Sequence, residues 1–287
     1  VGCIWPDEEN SFMEISTKGA RRLCLTAIAI TLVGLTSTVS AATLLGSAAD
    51  FAVLGGAAVT NTGATTLKGD LGVSPGTSIT GLETITITGA VDNGDATAMT
   101  AKADAQSAFT SLAAMTPEHD LTGQDLGGMT LTPGVYAFAS TAQLTGVLTL
   151  DFSSDPGGSF VFQIGSAITT AAGSSVVADG SAAGGVYWDV GSSATLGADT
   201  AFVGNILAAQ SITLGTGSSI GCGRAIALAG AVTLAINSVS NSCGAIHSDF
   251  ESGGGGVPEA SSWALMITGI GMMGGALRRR SGISVGR

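Results

Sequence analysis

Basic residues and histidine are nearly absent from the body of this chain. Between Ala42 and Gly256 there are 16 Asp or Glu against three basic residues, Lys68, Lys102 and Arg224, a balance of −13. An acidic body with no basic stripe excludes nucleic acid as the expected partner. His119 and His247 are the only histidines, and no nucleophile motif surrounds either. Four cysteines are present, none in a Cys/His pattern, so no zinc site and no cofactor are expected. Asp92-Asn93-Gly94-Asp95 faintly resembles a calcium loop but lacks the later Glu, and it reads instead as a turn feeding a helix. Aromatics are also scarce, at 5%, as are charged residues, at 11%. Hydrophobic content is nevertheless 45%, which excludes a disordered polar chain.

What the chain does have is glycine, 44 of 287 residues, and two ends that read as addresses. Met13 follows a twelve-residue extension. Lys18, Arg21 and Arg22 then precede an apolar run, Leu23–Val39, and Val39-Ser40-Ala41 gives a small-residue cleavage pattern. Residues 1–41 are therefore expected to be an extension and signal peptide. Gly253–Gly256 lies in a glycine-rich linker, 249–257. Residues 258–287 then hold Pro258-Glu259-Ala260, the apolar run Trp263–Leu277 and Arg278-Arg279-Arg280. That order resembles a PEP-CTERM sorting tail, with Ala260 in place of the usual second proline. The resemblance implies recognition by a sorting protease (exosortase) and a cell-surface or secreted product. A plain membrane anchor is the alternative, and either places the body outside the cytoplasm.

Between these ends, 42–248, a threonine between apolar residues keeps returning. The central residues are Thr66, Thr86, Thr130, Thr149, Thr169, Thr195, Thr213 and Thr233, at intervals of 20, 44, 19, 20, 26, 18 and 20. A period near 20 with glycine corners is a solenoid signature. Within each copy the period is two, so the apolar residues turn inward and the threonines form one outward column, about 4.8 Å per rung. A second hydroxyl set follows the corner: Thr200, Thr216, Ser218, Ser219 and Ser238. The 44-residue interval holds a predicted helix near 95–115, capped by Asp95, rich in alanine and ended by Pro117. The expected fold is all-β with one long helix, a parallel β-solenoid of triangular cross-section with the helix packed alongside. Cys222 and Cys243 are 21 residues apart, close to one coil, and stacking favours a disulfide between them over two buried thiols.

The stretches Phe51–Gly63 (FAVLGGAAVTNTG), Gly69–Gly81 (GDLGVSPGTSITG) and Leu126–Tyr136 (LGGMTLTPGVY) resemble the DUF3494 family of microbial ice-binding proteins. The resemblance implies a right-handed solenoid whose N-terminal segments supply coils out of sequence order, and a flat face that binds ice. Ice offers neither charge nor pocket, so the matching surface is rigid and repetitive, with methyls and hydroxyls together on threonine. Both hydroxyl sets are candidates for that face. The alternative is an adhesion solenoid binding extracellular polysaccharide. A solenoid lyase is disfavoured, because Arg224 or Lys68 would have to serve alone as the catalytic base.

Overall fold

The computed structural model describes residues 44–180 and 185–242. Short strands, all paired in parallel, wind into coils with three sides. One side stacks, in spatial order, His119–Asp120, Gly134–Phe138, Phe160–Ile164, Val186–Val190 and the later halves of Ala201–Ala208 and Ser219–Ala227. Phe51–Gly55, Asp70–Val73 and Val91–Asn93 then continue the same stack. The N-terminal coils thus sit on the last C-terminal coil, with Val53 beside Ala225. This is the out-of-order arrangement expected from the resemblance.

The second side is a separate seven-stranded sheet. Its order is Ala142–Leu144, Ile168–Thr170, Ala194–Leu196, Ile212–Leu214, Val232–Ala235, Ala58–Thr62 and Ser78–Thr80. The third side runs from Thr130–Leu131 through Val147–Asp151 and Ser175–Asp179 to the first halves of the two long strands. Ser238–Ser240, Thr65–Lys68 and Ile85–Ile87 complete it. The long strands turn the corner without ending. Their register slips between Val203 and Asn205, at Gly204 with φ 108°, where only glycine is at ease.

Helix α1, Ala96–Ala113, returns the chain from one end of the stack to the other. Its 18 residues span about 27 Å, which accounts for the long threonine interval. Asp95 caps it, accepting from the Ala98 amide at 2.9 Å. Ala98, Ala101, Ala105, Ala108 and Leu112 recur at helical spacing and are buried against the first side, on Leu54, Val161, Leu207 and Ile226. Alanine lets the helix lie close to the sheet. Gln163 ties down its far end, donating to the Leu112 and Met115 carbonyls at 2.7 and 2.8 Å.

Several of the aromatics gather in one stack inside the coils, with the exposed His119 at its end. His119 lies on Tyr136, Tyr136 on Phe162 and Phe162 on Trp188, with centroids 5.0, 5.4 and 4.0 Å apart. His119 is thus part of a packing ladder at the end of the stack. Arg224 is also structural: its guanidinium donates to the Ala49 carbonyl and, at 2.5 Å, to Asn205 Oδ1, fastening the N-terminal segment.

Candidate functional site: the threonine face

On the seven-stranded side the pairing register aligns one residue per coil in an outward row. The row is Gln143, Thr169, Thr195, Thr213, Thr233, Thr60 and Thr80. All seven are exposed, while Ile168, Ala194, Ile212, Val232 and Val59 beside them are buried. The pattern of apolar, Thr, apolar works here as expected: alternation sends the hydroxyls out and the aliphatic groups into the core. No strand of this side contains a charged residue. Small residues flank the row, with Ala58 opposite Ser78 and Thr62 opposite Ala235. α1 covers a different side, and among the described residues no helix lies over this one.

The single column expected from the sequence divides in two. Thr169, Thr195, Thr213 and Thr233 share the row just described, but Thr66, Thr86, Thr130 and Thr149 stand on the third side. The physical reason lies in the coil. Most coils carry outward hydroxyls on two sides, and both sides repeat with the same period: Thr60 to Thr80 on one, Thr66 to Thr86 on the other. Thr149 and Thr169 are also 20 residues apart, yet that interval is less than one coil, lengthened by the loop between Asp151 and Phe160. Thr60, Thr80 and Gln143 were not singled out in the sequence. Thr60 escapes the pattern because its downstream neighbour is Asn61, Thr80 because Gly81 follows it, and Gln143 because it is not a threonine.

The second hydroxyl set separates as well. Thr200 and Ser218 are 1% and 0% exposed, so neither can meet an external surface. They belong to a polar ladder inside the corner. Thr170 and Thr200 hydroxyls lie 2.8 Å apart, and Asn237 Nδ2 donates to the Ser218 hydroxyl and carbonyl and to the Gly215 carbonyl. Buried hydroxyls in that setting satisfy corner backbone groups and stiffen the turn. Thr216 is exposed on the corner, whereas Ser219 and Ser238 pair with one another on the third side. That side is chemically mixed, since Lys68, Asp151 and Asp179 share it with the exposed Val147 and Val177.

Residues 53–240 match the family described as ice-binding-like. The chain belongs to that family. An ice-binding protein of Nostoc sp. (strain HG1) is 46% identical over 200 residues, spanning 70% of this chain and 74% of the relative. The crystal structure of an ice-binding protein from an Antarctic biological consortium superposes with a TM-score of 0.66 at 41% identity, over 73% of this chain and 96% of that one. The ice-binding protein of the Antarctic ascomycete Antarctomyces psychrotrophicus gives 0.65 at 39% identity, over 70% and 98%. Within this family member, the described residues contain no group of three or more His, Cys, Asp or Glu placed to hold a metal. Cys222 is disulfide-bonded. Cys243, the partner expected from the spacing, lies outside the described residues, as do the signal-peptide, linker and tail segments.

Proposed function

We propose that this protein adsorbs to ice through the seven-stranded side, and that adsorption blocks growth or recrystallisation of the crystal. The observation that carries the reading is the row from Thr169 to Thr80, one hydroxyl and one methyl per coil, on an uncharged sheet that no described helix covers. Each contact with ordered water is weak. Rungs held at about 4.8 Å by backbone pairing lose little freedom on adsorption, so weak contacts add with a small ordering cost. The names of the Nostoc relative and of the two solved structures support the same activity here.

Export belongs to this proposal. The order of basic, apolar and small-residue segments before Ala42 supports it, and a disulfide at Cys222 suits an oxidising compartment. Processing or anchoring by the segment after Pro258, with exosortase as its partner, rests on the sequence order alone.

The decisive experiment measures thermal hysteresis and recrystallisation inhibition for the purified protein and two variants. Thr195→Tyr puts a bulky ring in the row and is expected to remove most activity. Thr66→Tyr, on the third side, is expected to leave it within about twofold of wild type, because one rim substitution off the contact plane changes little. The reverse ranking would move the ice-binding surface to the third side. Absence of ice activity in the wild type, with binding to extracellular glycan, would replace the proposal altogether.

A further inference from the structure

The corner between the threonine side and the third side carries one left-handed residue in successive coils. Gly173, Asp199, Gly217, Ile236 and Gly63 have φ of 70°, 55°, 75°, 57° and 79°. They are stacked by backbone hydrogen bonds, Asp199 to the Thr216 carbonyl at 2.9 Å, Gly217 to Ala235 at 3.2 Å and Ile236 to Thr62 at 3.1 Å. Glycine adopts this backbone freely, and Asp tolerates it. A β-branched side chain does not, and holding one there strains the backbone.

The neighbouring residue imposes the conformation. Asn237 is buried, and its amide donates to Gly215 and Ser218 while its carbonyl oxygen accepts from the Ala235 amide. Its own backbone N–H donates to Thr65 Oγ1 at 3.1 Å. Ile236 bridges Asn237 and the strand Val232–Ala235, both held by hydrogen bonds, in the left-handed region. Isoleucine gains little from the interior in return, being 54% exposed. Its side chain leans over the next corner residue, where a Cβ added to Gly63 would lie 2.8 Å from Ile236 Cγ1. Glycine at 63 therefore lets the isoleucine lie along the corner beside Thr62, at the rim of the threonine side.

We propose that Ile236 is part of the ice-contacting surface, extending the threonine row sideways with an apolar, conformationally stiff group. A strained, exposed, β-branched residue that folding rewards little is accounted for by a contact made outside the molecule. Its methyls would sit beside those of Thr62 and continue the same water-ordering pattern around the corner. The proposal rests on the ice-binding reading and on its assignment to this side.

The test compares wild type, Ile236→Gly, Ile236→Val and Thr213→Tyr for melting temperature and for the concentration that halves recrystallisation. Glycine relieves the backbone, so Ile236→Gly is expected to melt at or above the wild-type temperature. It should also need roughly twofold more protein, or above, for the same inhibition. Ile236→Val should retain most activity. Wild-type activity in Ile236→Gly, alongside a loss in Thr213→Tyr, overturns the role of Ile236 and leaves the ice-binding reading standing. A loss in Ile236→Gly that comes with a lower melting temperature also overturns it, since the residue would then be structural. An inactive wild type overturns the underlying reading itself.

Discussion

Asp189 holds a carboxylate beneath α1 with its Oδ1 buried and unpartnered. Burial pushes its pKa up to about 7. Asp92, on the terminal strand of the same side, is also buried with an unpartnered Oδ2, and burial, followed by Asp95 and Asp70, raises it too. A raised carboxylate pKa means that the folded state holds its proton more tightly than the unfolded chain. The associated penalty is absent below about pH 4, grows as pH rises toward 7 and is complete above it. For Asp189 it amounts to roughly 2 kcal/mol or more after allowing for solvent screening. The protein is therefore expected to melt at a lower temperature at pH 8 than at pH 5.5. Asp189→Asn should flatten that dependence and raise the pH 8 melting temperature by about 4–8 °C. Equal melting of the variant and wild type at pH 8, followed by circular dichroism, would show that Asp189 is ionised in the fold without cost. Nothing in the sequence marks Asp189 as buried, because the helix residues beside it, Phe109 and Ala113, come from a distant part of the chain.

At the scale of elements, α1 shows what was legible and why. Asp95, the alanines at helical spacing and Pro117 placed the helix between its observed ends, since a cap and a buried stripe are local signals. The coil repeat was legible too, and so was the inward turn of its aliphatic residues. Which side a threonine occupies was not. Thr66 and Thr60 are both outward residues of the same coil, and only the pairing of Ser238 with Thr66 and of Thr233 with Thr60 separates them. Corner geometry likewise buried Thr200 and Ser218, which read as exposed in the sequence because loop length hides the phase of the turn. The helix packing makes its own prediction. Ala105 is fully buried against the sheet, and Ala105→Leu inserts three carbons where there is no space. Overpacking of this kind costs about 1–3 kcal/mol, and calorimetry should register about 2–4 °C of lost melting temperature per kcal/mol. Ice activity measured near freezing should be unchanged, because α1 lies on a different side from the threonine row. An Ala105→Leu variant as stable as wild type would mean that the helix is not closely docked.

For the molecule as a whole, the distribution of charge and the stack of coils serve the same surface. The acidic residues that give the chain its net charge of −11 are absent from the strands of the threonine side. Charge elsewhere favours solubility, while this side carries neutral hydroxyls and methyls, the chemistry that the proposed contact with a neutral crystal calls for. If this side is the ice-binding surface, rigid contact makes adsorption depend on the length of uninterrupted plane rather than on any single residue. Thr213 is the fourth of the seven row positions and Thr80 is the last. A tyrosine at Thr213 stands in the middle of the plane and holds both halves away from a flat crystal. At Thr80 the same ring leaves the remaining rungs free to lie flat. The two substitutions involve the same residue types at equally exposed sites, so a model in which each threonine contributes independently expects equal losses. Rigid multipoint contact expects Thr213→Tyr to abolish thermal hysteresis and Thr80→Tyr to retain a substantial part of it at the same concentration. Nanolitre osmometry on the two variants, with matched melting temperatures as the control for folding, separates these outcomes. Equal losses would show that the row acts as a set of separate contacts and not as one plane.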